Sequence, residues 1–398
     1  MKILIFYQYF TTPKGSWGTR IYEFAKEWVK EGHEVIVVSS IYSKSDLKAR
    51  KLIETQFFDG IKVKVVNVKI DNKQSIIKRV FTFIYYALVS SWYAIFKRSD
   101  IVIASSGPIT VGIPGLISRI FRNGKFVYEV RDLWPEVPIE LGIIKNKLIK
   151  KIAYFIEKKL YKHASLVVGL SPGMRDYVIK NSHHKNVISV TNASNLSLFS
   201  SKYDFPENEF LTKDDFYAIY TGNIGKVNNS YWLLNTARYL KSIRREDIKI
   251  VVAGDGQQRE ELCKIAKKEG INNFIYLGLI PKVDLVPYIK NALVSLVPLE
   301  ANPILDTSSP NKLFESLAAG VPVIQTTNGW IKDYLDKNKL GFTLTGESEV
   351  ELGDLLLEIS ENTKLMNELK INAFKCAKRD FDQKKLAKKY LEALKEMF

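Results

Sequence analysis

Short runs of apolar residues alternate with segments of helical periodicity along the first half of the chain. The runs predict strands at residues 3–7, 34–39, 61–68, 101–104, 126–130 and 166–169. Between the first two strands, Phe24, Ala25, Trp28 and Val29 fall on one face of a helix over residues 21–30. This alternation predicts an α/β fold of βαβ units, with a parallel sheet that helices cover on both faces.

The same pattern starts again after the polar stretch 200–215, which we interpret as a linker. Further strands are predicted at residues 216–221, 248–253, 274–277, 294–297 and 321–325. We therefore predict two doubly wound domains, residues 1–205 and 206–382. Ligands of such domains bind beyond the carboxyl ends of the strands, and a cleft between two domains is the expected site.

Residues 80–96 carry no charge and are flanked by Lys78, Arg79, Lys97 and Arg98. Three interpretations are open: a buried core helix, a helix that dips into a membrane surface, and a membrane span. A span is disfavoured because the flanking strands would then lie on opposite sides of the membrane. The stretch 148–161 favours the second interpretation, since its lysines alternate with apolar residues at helical spacing.

Composition narrows the choice of partner. The 398 residues include 59 Lys and Arg against 43 Asp and Glu, a net charge of +16. This excess favours an anionic partner, namely a phosphate-bearing substrate, a nucleic acid or an acidic membrane. Two cysteines exclude a disulfide framework, and the four histidines lack metal-ligand spacing. The first apolar run breaks at Gln8 with no cleavage site after it, which predicts a strand and a cytoplasmic location.

Glycine-rich loops follow three of the predicted strands. Gly15 and Gly18 lie in the loop 12–20, where the N–H groups of the next helix can face an anion or a sugar. The loop YTGNIGK offers Lys226 to a diphosphate, and AGDGQQR forms a similar turn. Each loop can also be a plain structural turn. No complete G-x-G-x-x-G fingerprint is present, which disfavours an oxidoreductase.

The stretch PILDTSSPNKLFESLAAGVP carries the strongest chemical signal. Ser309 and Pro310 are predicted to be the N-cap and the first residue of a helix. The free amides that follow, with the hydroxyls of Ser308 and Ser309, would form an anion site to which Lys312 adds a charge. Glu315 would accept hydrogen bonds from two vicinal ribose hydroxyls.

These motifs together resemble a bacterial family 4 glycosyltransferase of the GT-B fold, of the type that builds O-antigen and capsule polysaccharides. The resemblance spans nearly the whole chain, through MKILIFYQYF, GHEV, EVRDLWPE, TNASNLSLF, YTGNIGK, VVAGDG, IYLGLIP and PNKLFESLAAGVPVI. It implies two Rossmann-like domains facing a cleft, the first binding an acceptor and the second a nucleotide-sugar donor. It also implies that the last helix, 383–398, returns to the N-terminal domain.

The resemblance assigns the donor site residue by residue. Glu315 matches the second glutamate of the family's Glu-x7-Glu motif, whereas Thr307 stands in place of the first. Asn223 occupies a position where the family often has arginine, so Lys226 and Lys312 are the implied diphosphate cations. The expected donor-binding residues are Gly222, Asn223, Lys226, Gly254, Leu279, Ser308, Ser309, Asn311, Lys312 and Glu315.

The acceptor side departs from the family, because Ser105-Ser106-Gly107 replaces a frequent histidine. Asp132 and Glu136 are then the nearest candidate acids, unless Asp132 caps a helix and Glu136 pairs with Arg131. The expected catalytic residues are Asp132, Glu136 and Lys226. The expected acceptor-binding residues are Gly15, Gly18, Arg20, Ser105, Arg131 and Asp132.

The resulting prediction is a retaining, metal-independent glycosyltransferase with no cofactor besides its donor. UDP is the expected nucleotide, with GDP open, and the acceptor is a polyprenyl-diphosphate-linked saccharide at the inner membrane face. The pair Asp380 and Asp382 is predicted to mark a helix start and not a metal site. Two rivals stay open: an epimerase of UDP-N-acetylhexosamine, and a basic nucleic-acid-binding protein.

Overall fold

The computed structural model describes residues 1–71, 74–201, 203–206 and 209–398, so part of the predicted linker lies outside the described residues. The chain divides into two compact units: 1–192 with 307–309 and 383–398, and 193–306 with 310–382. The division precedes the predicted boundary at 205 because Ser194 already bonds to the second unit. Its N–H donates to the carbonyl of Phe381 at 3.0 Å, and its hydroxyl donates to the carbonyl of Phe314.

The first unit is built on one sheet with its helices connecting successive strands. Its elements before residue 192 are β1 (Lys2–Phe6), α1 (Arg20–Lys30), β2 (Glu34–Tyr42), β3 (Ile53–Phe58), β4 (Ile61–Ile70), α2 (Ile76–Phe96), β5 (Ile101–Ser105), α3 (Gly112–Arg122), β6 (Lys125–Val130), α4 (Glu136–Glu140), α5 (Lys147–His163), β7 (Leu166–Gly169), α6 (Pro172–Ser182) and β8 (Val187–Ser189). The strand order is β3-β4-β2-β1-β5-β6-β7-β8, and the pairing is parallel except between β3 and β4.

The second unit repeats the plan with a six-stranded parallel sheet. Its elements are α7 (Leu196–Ser200), β9 (Phe216–Asn223), α8 (Ser230–Ser242), β10 (Ile248–Asp255), α9 (Arg259–Glu269), β11 (Phe274–Gly278), α10 (Lys282–Lys290), β12 (Val294–Val297), α11 (Asn311–Ala318), β13 (Val323–Gln325), α12 (Trp330–Asn338), β14 (Gly341–Thr343), α13 (Glu349–Glu361) and α14 (Thr363–Asp380). The strand order β11-β10-β9-β12-β13-β14 places β9 near the centre. All eleven predicted strands are present, and the pattern missed only β3, β8 and β14.

The last helix, α15 (Gln383–Lys395), belongs to the first unit. The indole N–H of Trp28 in α1 donates to the carbonyl of Ala387 at 2.9 Å, and the ring of Trp28 meets Tyr390 edge-on. Both aromatic side chains are fully buried, so α15 completes the core under α1. The expectation that the C-terminal helix returns to the N-terminal domain is confirmed.

Helix α2 has two different apolar faces. Tyr86, Ala87 and Ala94 are buried against the sheet, whereas Leu88 and Trp92 on the opposite side are exposed. Within the described residues, Ile77–Phe96 is the one helix long and apolar enough to cross a membrane, and 39% of its most apolar window is buried. The core-helix interpretation therefore describes the buried face of α2, and the membrane-surface interpretation stays a prediction for the exposed face.

An ion pair in the interior joins α1 to the sheet. The guanidinium of Arg20 lies 3.0 Å from the carboxylate of Glu129, and both side chains are at most 1% exposed. Arg20 also donates to the carbonyls of Val190 and Thr191. Burial alone would raise the pKa of Glu129, but the charges of Arg20 and Arg131 outweigh it and hold the pKa below its usual value.

Two residues expected to bind an acceptor are part of this buried network. Arg20 is wholly engaged with protein groups, and the hydroxyl of Ser105 donates to Glu129 at 2.7 Å from a fully buried position. Arg20 and Ser105 were expected to bind an acceptor, but both side chains are buried and engaged with protein groups. They fix the start of α1 and the end of β5 instead.

Replacing Arg20 by Met is expected to lower the free energy of unfolding by about 3–5 kcal/mol, because Glu129 would keep a buried charge without its main partner. The double variant Arg20→Met, Glu129→Met should recover part of that loss. The measurement is the midpoint of urea unfolding followed by circular dichroism. Arg238→Met, which breaks a surface pair with Glu269, is the control and should leave the midpoint unchanged. Equal losses in the single and double variants would contradict the argument.

Candidate functional site

The strands β9 and β10 bring two glycines together at the carboxyl edge of the second sheet. Gly222 has a φ of 140° and Gly254 a φ of 143°. A Cβ added at Gly254 would lie 1.8 Å from the carbonyl oxygen of Gly222, so the two backbones touch in a way that only glycine permits. Gly222 and Asn223 are exposed, and their backbone is open to a ligand.

Helix α11 starts one residue later than predicted. Pro310 is its N-cap in an extended conformation, and no side chain caps the helix. Ser309 is therefore not the N-cap, because Pro310 itself has an extended ψ of 131° and the helix begins only at Asn311. The hydroxyl of Ser309 is nevertheless buried and has no hydrogen-bond partner in the described structure. The N-terminus of α11 is left with uncapped donors, as an anion site requires.

Lys312, in the first turn of α11, supplies the positive charge. Its Nζ lies 4.0 Å from the centroid of the Tyr220 ring and 3.4 Å from Oδ1 of Asn228. Within the described part of the chain, no carboxylate comes within ion-pair distance of Lys312. Burial lowers the pKa of this lysine to about 7. The site thus holds an ammonium group whose charge is not balanced by any carboxylate of the described residues.

Glu315 lies one turn further along the same helix. Its Oε1 is 2.9 Å from Nζ of Lys282, and both side chains are largely buried. Lys282 is the first residue of α10 and lies three residues after Leu279, one of the expected donor-binding residues. The sequence reasoning missed Lys282, since nothing in its spacing marks a lysine that pairs with Glu315.

The remaining expected donor residues are more exposed. Lys226 follows β9 in a short turn, where its side chain is 80% exposed and lies 3.4 Å from the carboxylate of Glu300. Leu279 is half exposed after Gly278. Ser308 and Asn311, on either side of Pro310, are half-buried. The structure therefore brings Gly222, Gly254, Lys312 and Glu315 together in the second unit, with Lys226 at the rim.

In the first unit, the loop after β1 is held by one carboxylate. Asp46 accepts hydrogen bonds from the backbone N–H of Thr12 at 2.9 Å, from its hydroxyl at 2.6 Å and from the hydroxyl of Thr11 at 3.1 Å. Gly15 is buried in this loop, and a Cβ there would collide with Thr11. Gly18 is half-buried just before α1. Asp46 was not predicted, because only the folded structure brings it to this loop.

The segment after β6 carries the candidate acids. The guanidinium of Arg131 lies 4.7 Å from the centroid of the Tyr7 ring and 3.9 Å from Glu129. Asp132 is exposed at the surface, yet loss of solvation around its carboxyl outweighs the attraction of Arg131 and raises its pKa to about 6. A carboxylate with that pKa is ionised at neutral pH and is a stronger base than an ordinary aspartate.

Glu136 has a different partner from the one considered in the sequence. Its Oε2 accepts a hydrogen bond from the hydroxyl of Tyr154 at 2.7 Å, and not from Arg131. Glu136 is the first residue of α4, whose N-cap is Pro135, so Asp132 does not cap that helix either. Both structural alternatives for the acids are therefore wrong, and Asp132 is the freer of the two carboxylates.

The pair Asp380 and Asp382 lies at a junction of two helices. Asp380 ends α14 and accepts hydrogen bonds from Tyr334 and Arg379, while Asp382 pairs with Ser194 just before α15. Within the described residues, no three His, Cys, Asp or Glu side chains converge in a way that could hold a metal. The charges available to an anionic ligand are thus Lys312, Lys226 and the N-terminus of α11.

Comparison with known proteins gives a consistent picture. Residues 18–194 match the domain described as Glycosyltransferase Family 4, and residues 201–376 match Glycosyl transferases group 1. The "Probable glycosyltransferase WbjE" of Pseudomonas aeruginosa is 21% identical over 278 residues, which are 67% of each chain.

Solved structures share the fold along the whole length. Sucrose-phosphate synthase of Thermosynechococcus elongatus has a TM-score of 0.75 at 13% identity, with 100% of this chain and 99% of that chain covered. HepE of Anabaena, solved with UDP and glucose, has a TM-score of 0.69 at 15% identity, with both chains fully covered. At these identities the likeness establishes the two-domain fold of these enzymes.

The pKa of Lys312 predicts how binding of a nucleotide sugar depends on pH. Only the charged ammonium attracts the diphosphate, so affinity should be constant below that pKa and fall by up to about tenfold per pH unit above it. Calorimetric titrations with UDP- and GDP-sugars across this range test the expectation. Lys312→Arg is the matched control, because a guanidinium stays charged and should give a flat profile. Identical profiles for the wild type and the arginine variant would contradict the role of Lys312.

Proposed function

Because this chain is a family 4 glycosyltransferase of the GT-B fold, we propose that it transfers a sugar from a UDP-sugar to a hydroxyl of a saccharide acceptor. The observation that carries the proposal is the unbalanced ammonium of Lys312 at the uncapped start of α11, one turn before Glu315. A cation and helix amides suit a diphosphate, and a carboxylate one turn away suits the ribose. HepE, which was solved with UDP and glucose, supports the choice of UDP.

The proposed reaction exchanges one glycosidic bond for another. The bond between the sugar C1 and the diphosphate oxygen breaks, and its electron pair stays with the diphosphate. C1 then bonds to the acceptor oxygen, whose proton passes to a base, and no oxidation or reduction occurs. Lys312 and the N–H groups of α11 stabilise the departing charge as an oxocarbenium-like centre forms. Retention of the anomeric configuration is part of the proposal and rests on the family resemblance.

Asp132 is the base that we favour for the acceptor hydroxyl. With a pKa raised to about 6, Asp132 is still mostly ionised at neutral pH and is a better proton acceptor than a carboxylate with the ordinary aspartate pKa. Glu136 is the alternative base, with its carboxylate oriented by Tyr154. Arg131 and the loop holding Gly15 and Gly18 line the same edge of the sheet, where they would position acceptor hydroxyls.

The proposed acceptor is a saccharide on a polyprenyl diphosphate, in the synthesis of a surface polysaccharide such as O-antigen or capsule. The transferred sugar would be a hexose, an N-acetylhexosamine or a deoxy-aminosugar. The resemblance of EVRDLWPE and PNKLFE to such enzymes supports this choice. An acceptor of this type would place the protein in the cytoplasm, bound peripherally to the inner face of the membrane.

Glu315→Ala is expected to weaken UDP binding by about tenfold to a hundredfold, because a charged hydrogen bond is worth about 1.5–3 kcal/mol. Lys282→Met should give a smaller loss, since it frees the Glu315 carboxylate without removing it. Calorimetry with UDP and with GDP measures both variants. Unchanged binding of both nucleotides by Glu315→Ala would sink the assignment. Analysing the products of turnover then separates a glycosylated acceptor from the free epimerised nucleotide sugar that an epimerase would release.

Activity is expected to survive EDTA, because Lys312 and the N-terminus of α11 can take the place of a divalent ion at the diphosphate. The measurement is the initial rate of sugar transfer before and after chelation, with added magnesium or manganese as the reference. A rate that is lost on chelation and restored by either metal would overturn the metal-independent mechanism.

A further inference from the structure

Helix α2 presents an uninterrupted apolar stripe to the solvent. Phe81, Leu88 and Trp92 are each 60% exposed or more, and their spacing places them on one face of the helix. The full stripe comprises Ile77, Val80, Phe81, Ile84, Leu88, Trp92 and Phe96. A soluble surface rarely leaves so many large apolar side chains in a row, so a partner is expected to cover them.

The neighbouring helices extend this surface. Helix α3 packs beside α2, and the guanidinium of Arg122 donates to the carbonyl of Ile95. The exposed side chains of Ile120 and Phe121 therefore lie at the same end as Phe96. Helix α5 packs on the other side of α3 and exposes Leu148, Ile149, Ile152 and Phe155. We call the exposed surface of α2, α3 and α5 the apolar-basic face.

The charges on this face select the partner. The three helices contain ten Lys or Arg and a single acidic residue, Glu157. A second copy of the chain would bring the same positive charges to the interface, and like charges disfavour such a pairing. An anionic lipid surface satisfies both features, because its headgroups attract the lysines and its acyl boundary accepts the apolar stripe.

We propose that the apolar-basic face docks on an anionic lipid bilayer, with α2 lying in the plane of the membrane surface. The opposite face of α2 is packed on the sheet through Tyr86 and Ala94, which excludes a span in this fold. The start of α2 follows the carboxyl end of β4, at the sheet edge that also carries Asp132. The bound membrane would thus lie beside the proposed acceptor site. The link between the membrane and an acceptor site rests on the proposed function, whereas the docking itself does not.

Flotation with vesicles tests the docking without donor or acceptor. The wild type is expected to bind phosphatidylcholine vesicles that contain phosphatidylglycerol and to bind pure phosphatidylcholine at least tenfold more weakly. High salt should release part of the bound protein. The variant Phe81→Ser, Leu88→Ser, Trp92→Ser should lose at least tenfold in binding. Its matched control, Leu52→Ser, Phe57→Ser, Ile371→Ser, removes three similarly exposed apolar side chains that lie outside α2, α3 and α5 and should bind as the wild type does.

A second measurement keeps the test valid if the triple variant fails to fold. Of the six tryptophans, Trp92 alone is more than half exposed. Brominated lipids are therefore expected to quench part of the wild-type fluorescence, and Trp92→Phe should still bind vesicles but lose that quenching. Phe83 and Tyr86 are unsuitable for substitution, because both are buried in the core.

Several outcomes would overturn the proposal. They are a wild type that does not float with anionic vesicles, quenching that persists in Trp92→Phe, and loss of binding in the control variant equal to that in the α2 variant. A wild-type dimer in light scattering that the α2 variant dissociates, without any vesicle binding, would assign the face to a second copy. Calorimetry with UDP on the same samples separates these results from a failure of the proposed function, since Lys312 and Glu315 lie in the other unit.

Discussion

Parallel strand pairing is the constraint on which both units depend. In a parallel sheet every strand ends at the same edge, so residues that are far apart in the chain meet there. In the second unit this gathers Gly222, Gly254 and the start of α11. In the first unit it gathers the loop after β1 with Arg131 and Asp132. The residues that come directly after the strands therefore determine the chemistry at each edge.

The two units treat a buried cation in opposite ways. In the first unit, the carboxylate of Glu129 and backbone carbonyls bind the guanidinium of Arg20, so its charge is balanced within the fold. In the second, Lys312 rests on the ring of Tyr220 and an amide oxygen, and its lowered pKa records how poorly its charge is balanced. A balanced pair gives rigidity, whereas an unbalanced charge gives affinity for an anion. The proposed donor site depends on this second arrangement.

The local sequence pattern predicted the structural features that depend on neighbouring residues in the chain. The eleven long apolar runs became strands, and the alternation of strands and helices gave the right fold class. Strand β3 was missed because its exposed edge position gives it no apolar run, and β8 and β14 span only three residues each. The N-cap assignment to Ser309 failed because Pro310 takes an extended ψ of 131° and is itself the N-cap, so the helix begins at Asn311.

The site was predictable only where a motif is continuous in sequence. Lys312 and Glu315 share one helix, and their spacing alone placed them together. Arg20 was predicted to be a ligand because it follows a glycine-rich loop. Its partner Glu129 is far along the chain, and their ion pair holds the Arg20 side chain in the interior. Lys282 and Asp46 were missed for the same reason, since each acts on a residue that only tertiary structure brings near.

The return of α15 to the first unit has a consequence for how the protein is made. Trp28 emerges from the ribosome before the whole second unit, whereas Tyr390 and Ala387, which cover it, emerge after that unit. Until then the apolar side of α1 is uncovered, and the first unit cannot complete its hydrophobic core. The second unit, which runs from 193 to 382 apart from residues 307–309, is free to mature first. Folding of the nascent chain would then run against the order of translation.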